Sequence, residues 1–484
     1  MNVSSLLYFV APATLVGFGV FAWFVHLERE GKPLATVLII FGLVVIESWI
    51  YPNQNWIPAG IFHPMLGTSG PGGNESAFSF RLPEILVPMA LVARLVARDK
   101  PLRLRAASLW WLAFLAWLTT AVITGVEYGN SLNLALFEAK AVAYIGFFLL
   151  VAGVDASEFA HGLVFRRFLY GSSVIAGIGI ALSLSKVNIS LAIPGVPLSN
   201  MGVMGADAAT IFLALGLVAV AIAICSEDER TPLFIASLPL LLASFVAEQR
   251  AALLAVAVAM VLFVLAIAIG WRRVHATPTE IALCAATFGA LLLIPVLVTA
   301  VVGKRQPTLP FASTINAAFD TQAKQLSAQD RLNQWAMARR LIAKHPVIGS
   351  GLGFTYQHYD PGYKVFVTSD LTHNIVLDLM LRVGAIGLSL FAIALGITLF
   401  DGVSVWFKHP DALVAAFALA CACALSGLAA KGMVESIFEK YRLTTLLGLL
   451  VGAIASTKLS LATPAREEAT EDTYTTAERP EEWN

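Results

Sequence analysis

The stretch LTHNIVLDLMLRVGAIG, residues 371–387, puts a histidine and an asparagine at the mouth of an apolar run and carries Asp378 and Arg382 into it. Charged side chains inside a bilayer are expensive, so each needs a partner or a chemical task. Read as a helix, Asn374, Asp378 and Arg382 fall at i, i+4 and i+8 on one stripe, where Asp378 can pair with Arg382. His373 stands one residue earlier, about 100° around the helix. Near a helix N-terminus the dipole disfavours imidazolium, and a neutral imidazole at the water–lipid boundary is suited to act as a general base. The same position also suits a plain helix-start histidine bonded to the preceding loop. Arg250 follows Glu248 and Gln249 in a tight connection between two apolar runs. It either snorkels to the interface or meets an anionic headgroup, since guanidinium forks match phosphate oxygens.

These residues need elements to position them, and composition names the class. The chain has 484 residues, 58% hydrophobic and 13% charged, with mean hydropathy +0.76. Soluble domains carry roughly 25% charged residues, so the sequence reads as an all-α polytopic membrane protein. Net charge is zero, from 32 basic and 32 acidic residues, which offers no footprint for nucleic acid. Cys225, Cys284, Cys421 and Cys423 all lie in apolar runs and read as small core residues, with no disulfide framework and no metal site. Apolar runs at 4–26, 35–51, 80–97, 107–126, 140–154, 168–186, 207–225, 232–247, 251–270, 281–302, 372–400, 413–430 and 443–461 predict about 12–13 spanning helices. Ten of them fill residues 1–302, and the rest lie in 372–461. The first run lacks a basic leader and a cleavage site and reads as a retained helix.

Basic residues in the short loops divide thirteen against seven between the two sides. The richer side, with Arg98, Lys100, Arg103 and Arg105 at its densest, reads as cytoplasmic. That places the acidic tail, 462–484, inside as a disordered segment, and the long polar loop, 303–371, outside. Within this loop, SAQDRLNQWAMARRLIAKHP has the grammar of an amphipathic helix. Ser327 and Asp330 form a capping-box-like start, Leu332, Trp335 and Ile342 make one apolar face, and Pro346 ends the run. Such a helix caps a cavity, lies on the membrane or simply orders the loop. The following GSGLGF reads as a tight turn in preference to a phosphate nest.

Together these segments resemble the O-antigen ligase and Wzy polymerase superfamily of bacterial membrane glycosyltransferases. HNIVLDLMLRVGAIG fits the ligase pattern of His, then Asn, Ser or Gln, nine residues and Gly-x-x-Gly. Arg250 in EQRAALLAV resembles the family arginine that opens a helix after a short periplasmic turn. Arg331 in QDRLNQWAMARRLIAKHPVIGSGLGF resembles the arginine of the large periplasmic loop. The likeness covers roughly residues 240–400.

The resemblance implies transfer of a glycan from an undecaprenyl-diphosphate carrier to an acceptor hydroxyl, at the periplasmic face of the bacterial inner membrane. The acceptor is lipid A–core for a ligase, or another carrier-linked repeat unit for an O-antigen or exopolysaccharide polymerase. His373 then serves as catalytic base, with Arg250, Arg331 and Asn374 binding substrate and no metal or other cofactor. Membrane lipid and the two glycan substrates are the implied partners. A transporter is the competing class, and it predicts inverted repeats and helices broken near the bilayer midplane.

Overall fold

The computed structural model describes residues 3–50, 82–97, 104–185, 206–246, 250–270, 272, 321–438 and 440–462. In chain order these form α1 (Val3–Arg29), α2 (Pro33–Ile50), α3 (Leu82–Ala97), α4 (Ala106–Glu127), α5 (Leu132–Ala143), a 3-10 turn (Tyr144–Phe147), α6 (Phe148–Val151) and α7 (Ala156–Ala160). Next come α8 (Leu163–Ser185), α9 (Ala206–Cys225), α10 (Arg230–Val246) and α11 (Arg250–Ile269). The loop contributes α12 (Thr321–Ile342) and the strands β1 (Tyr356–Asp360) and β2 (Val365–Ser369). It leads to α13 (Ile375–Lys408), α14 (Ala412–Gly432) and α15 (Tyr441–Ala462).

The protein is an all-α polytopic membrane protein. Among the described residues, 8 helical runs are long and apolar enough to cross a membrane, and Pro33–Ile46, Ile85–Ala97 and Arg230–Ser244 are shorter apolar helices. The predicted span 281–302, the loop before 321 and the tail beyond 462 lie outside the described residues. The centre of the bundle is α9, which is apolar all round and buried along its length. Helices α14 and α15 flank it and are largely buried. Outer helices turn residues such as Ile235, Ile269 and Phe400 outward, as a lipid-facing surface requires. Cys225, Cys421 and Cys423 are buried and free, as their apolar context predicts, while Cys284 is outside the described residues.

One span is longer than its apolar run. The predicted 140–154 is in fact Leu132–Val151, continuous from α5 through the 3-10 turn into α6. The predicted span starts only at Lys140, but residues 132–139, Glu138 included, are helical as well. Glu138 is tolerated because it faces Arg382 across the helix interface, in a direct ion pair. The 3-10 tightening lets α15 approach closely: a Cβ on Gly448 would lie 2.6 Å from the Ile145 carbonyl oxygen.

Helix α13 is broken. Gly384 has φ 67° and ψ −171°, a backbone state open essentially to glycine alone. The loop segment from Pro346 to Gly353 is laid into the break. Ser350 N–H donates to the Leu381 carbonyl at 2.7 Å and Gly351 N–H to that of Arg382 at 3.0 Å. On the far side, Ala385 and Ile386 N–H donate to the Pro346 and Val347 carbonyls, at 2.9 and 3.3 Å. Trp117 Nε1 takes the Val383 carbonyl at 3.0 Å. Backbone groups freed from the helix are thus satisfied by protein, the condition for irregular chain at membrane depth. The loop then reaches α4 and α5, where Leu352 N–H donates to Ala121 O at 2.9 Å and Gly353 N–H to Glu138 Oε2 at 2.8 Å. The expected turn at GSGLGF is present, and its glycines are the price of threading backbone against backbone.

Helix α12 departs from its predicted register. It begins at Thr321, so Ser327 and Asp330 lie inside it and do not cap it. Its packed face runs through Gln334, Ala338, Leu341 and Ile342 against Tyr356 and Leu381, whereas Leu332 is 49% exposed. The apolar spacing of Leu332, Trp335 and Ile342 misled because Gln334 is buried by a polar partner. Asp330 accepts from Gln334 Nε2 at 2.9 Å and meets His358 Nε2 of β1 at 2.9 Å. Polar groups, then, fasten α12 to the antiparallel hairpin in which Tyr359 opposes Phe366.

Candidate active site

Asn374 opens α13. Its Oδ1 accepts from the N–H groups of Val376 and Leu377, both at 3.0 Å, satisfying two donors that a helix start leaves free. Its Nδ2 donates to the Met433 carbonyl at 2.9 Å, tying the start of α13 to the turn after α14. The amide sequence reading assigned to substrate is therefore engaged at both ends in holding the backbone. Asn374→Ala should cost about 0.5–2 kcal/mol for the cap, seen as a lower thermal midpoint of the detergent-solubilised chain. Asn374→Asp should keep the cap but set a carboxylate against the Met433 carbonyl. A midpoint unchanged in both variants would refute this bracing role.

His373, directly before the cap, is held by its own backbone: its carbonyl accepts from Trp335 Nε1 of α12 at 3.2 Å. The two residues before it are anchored by Tyr356, whose hydroxyl donates to Leu371 O at 2.7 Å and lies 3.1 Å from the Thr372 hydroxyl. The imidazole is half-buried, and its Nδ1 is buried without a hydrogen-bond partner. Burial first, and the Arg331 guanidinium second, hold its pKa below the ordinary histidine value, with Lys440 adding in the same direction. Glu435 and Asp330 pull the other way and are outweighed. At neutral pH the ring is therefore uncharged and has a lone pair to offer.

Arg331 projects from α12, half-buried, close enough to His373 for its charge to act on the ring. Arg250 is the first residue of α11, and its side chain lies outside the described residues. Its backbone position can still be related to the site through α14. A Cβ on Gly427 would lie 2.6 Å from the Ala255 carbonyl oxygen of α11, and one on Gly432 would lie 3.3 Å from the Ile375 side chain. The last turns of α14 thus pack against α11 and against the first turn of α13. Arg250 opens the first of these helices and His373 precedes the cap of the second.

The predicted Asp378–Arg382 pair is present, with Arg382 Nε 3.1 Å from Asp378 Oδ1. Its purpose is structural. Arg382 also pairs with Glu138 of α5, and Asp378 accepts from the Thr372 N–H at 3.3 Å, one residue before His373. Removing one partner of such a buried pair typically costs 3–5 kcal/mol.

A second charged group was not singled out from sequence. Lys431 Nζ lies 3.6 Å from both Asp207 and Glu435, and 3.1 Å from the Thr210 hydroxyl. Lys440 Nζ lies 3.5 Å from Asp207 and contacts Glu435 directly. All four charged residues sit at the ends of α9, α14 and α15 next to the His373 helix start. In the sequence Lys431 and Lys440 appear only as loop charges that inform orientation, Asp207 falls inside the predicted span 207–225, and Glu435 is not singled out. The signal that could have found them is an acid at the first turn of one apolar span facing lysines at the ends of two others.

Residues 235–392 make up about a third of the chain. They match the O-antigen ligase family. The resemblance read from the sequence holds over that span, which encloses Arg250, Arg331, His373 and Asn374 and stops short of Glu435. No curated protein matches the chain. The match supports an O-antigen ligase- or polymerase-type function for this multi-pass membrane protein.

Proposed function

We propose that the protein transfers a glycan from an undecaprenyl-diphosphate carrier to an acceptor sugar hydroxyl, of the lipid A–core type, at the periplasmic face. The observation that carries this reading is a half-buried imidazole with an unpartnered Nδ1 at a helix mouth, whose pKa burial and the Arg331 guanidinium hold below the ordinary value. A sugar hydroxyl is a poor nucleophile. His373 takes its proton as the acceptor oxygen bonds to the anomeric carbon. The bond from that carbon to the diphosphate oxygen breaks, and the electron pair leaves on undecaprenyl diphosphate. Arg331 and Arg250 hold the diphosphate and offset the charge that builds on it. These two guanidinium groups supply the positive charge that a divalent metal gives in many diphosphate-using enzymes, so transfer should proceed undiminished in chelator.

The test is transfer from purified carrier-linked glycan, normalised to folded protein. Arg250→Ala should raise the donor KM and lower turnover together. Arg250→Lys should recover part of the loss, because an ammonium cannot make the bidentate fork. Equal recovery by lysine would argue for simple snorkelling. Offering lipid A–core and carrier-linked repeat units as rival acceptors separates ligase from polymerase, and a preference for the carrier-linked acceptor would overturn the ligase assignment.

A further inference from the structure

Glu435 lies outside the family-matched span and has no part in the reaction as drawn above. It stands on the turn after α14, and that turn is fastened to the residues beside His373. Asn374 holds the Met433 carbonyl, and Ile375 packs on Gly432. Glu435 N–H itself donates to Lys431 O at 3.0 Å, so the turn continues the last turn of α14. The side chain is 9% exposed. Burying a carboxylate costs several kcal/mol unless its charge is met. Lys440 contacts Oε1, and Lys431 Nζ stands 3.6 Å from Oε2. Even so, Oε2 has no hydrogen bond. Nor has the buried Nδ1 of His373. Two unsatisfied buried atoms of complementary capacity therefore belong to neighbouring segments that the Asn374 and Ile375 side chains fasten together.

The geometry points to Glu435 as the acidic partner of His373. It is a positioning residue: turning the ring brings Nδ1–H to its open oxygen, which fixes the tautomer that leaves Nε2 as the base and stabilises the imidazolium formed when the acceptor gives up its proton. This deepens the reading above and rests on His373 being the base. Charged groups of two segments act on His373: Arg331 and Asp330 of α12, and Glu435 and Lys440 of the α14–α15 turn. Asp330 is engaged by His358 and Gln334, which leaves Glu435 as the acid of the four with an open oxygen. Burial pushes the Glu435 carboxyl up, but Lys431 and Lys440 outweigh it and hold the pKa below the usual carboxylate range. The negative charge is consequently in place throughout the range where an imidazole titrates.

The experiment reads His373 without substrate. Diethyl pyrocarbonate modifies only neutral imidazole, so the pH dependence of modification of the His373 peptide, followed by mass spectrometry on the purified full chain, gives its titration midpoint. Glu435→Gln removes a charge that favours imidazolium, and the midpoint should fall by about one pH unit. Glu435→Asp, which keeps the charge, should stay near the parent value. Transfer assays should show kcat falling more than donor KM rises. An unmoved midpoint in folded Glu435→Gln overturns the proposal. Should that variant fail to fold, nitrogen-15 NMR of labelled parent protein, assigned against His373→Gln, reads the tautomer directly: Nδ1–H is expected and Nε2–H overturns it. Full activity in His373→Ala would instead overturn the transfer mechanism while leaving both of these readouts intact.

Discussion

Replacing His373 with alanine should lower glycan transfer by about 10²–10⁴-fold, the usual contribution of a positioned base, while donor affinity stays near that of the parent chain. The separation follows from geometry: the ring takes the acceptor proton, whereas the diphosphate is assigned to the arginines. In the parent chain, transfer should fall on the acid side as the ring protonates and loses its lone pair. Burial and Arg331 hold the His373 pKa down, so this limb should lie below the ordinary histidine value of about 6.5. Arg331→Gln removes a cation that disfavours imidazolium and should move the limb to higher pH, the reverse of Glu435→Gln. A purely structural histidine predicts a different pattern, with His373→Ala less stable but fully active per folded molecule. That result would end the general-base assignment.

The second large effect is structural. Gly384→Ala should abolish most of the folded yield and lower the thermal midpoint of what remains. Alanine at φ 67° and ψ −171° is strained by about 1–3 kcal/mol before any contact is considered. Its Cβ would also lie 2.2 Å from the Val347 carbonyl oxygen and 2.5 Å from Gly349 N. Both are backbone atoms, so no side chain can rotate away. Relief requires expelling the 346–353 segment from the break, which would orphan the backbone groups of Leu381, Arg382, Ala385 and Ile386 at membrane depth. Unfolding of such a protein is irreversible in practice, so the observable is a shift in midpoint and yield. Gly396→Ala is the control, because no atom lies within 4 Å of its Cβ and alanine is the better helix former. Equal midpoints for the two variants would mean that the loop does not run through α13.

The break also bears on the competing transporter reading, which predicts discontinuous helices. Helix α13 is discontinuous, but the freed carbonyls and N–H groups are taken by loop backbone and Trp117. They are not offered to a passing ion. The discontinuity instead locks the loop that carries Arg331 to the helix that His373 precedes.

Much of this was legible in the residues. Apolar length alone specified a polytopic helical bundle, since hydrocarbon leaves the backbone little choice but helix. The i, i+4 spacing of Asp378 and Arg382 gave their pairing, because that relation is local to one helix. Local spacing also placed His373 at a helix mouth, and the motif around it gave the family. What failed were assignments that depend on a partner distant in the chain. Residues 132–139 fell outside the predicted span because the sequence does not show Arg382 meeting Glu138, a contact 244 residues away (382 − 138). Leu332 read as a packed position because Gln334 looks polar until Asp330 and His358 are seen to satisfy it. Asn374 looked free for substrate until Met433 was found at its amide. The sequence by itself determined the helical elements, their membrane setting and the place of His373 at a helix mouth, all of which follow from a residue and its near neighbours. Only the tertiary structure decided that the loop is laid into the break of α13, that α14 packs against both α11 and the start of α13, and that the turn carrying Glu435 is fastened beside His373. Those depend on which backbone and charged groups are brought together when water is excluded, and no local pattern encodes that.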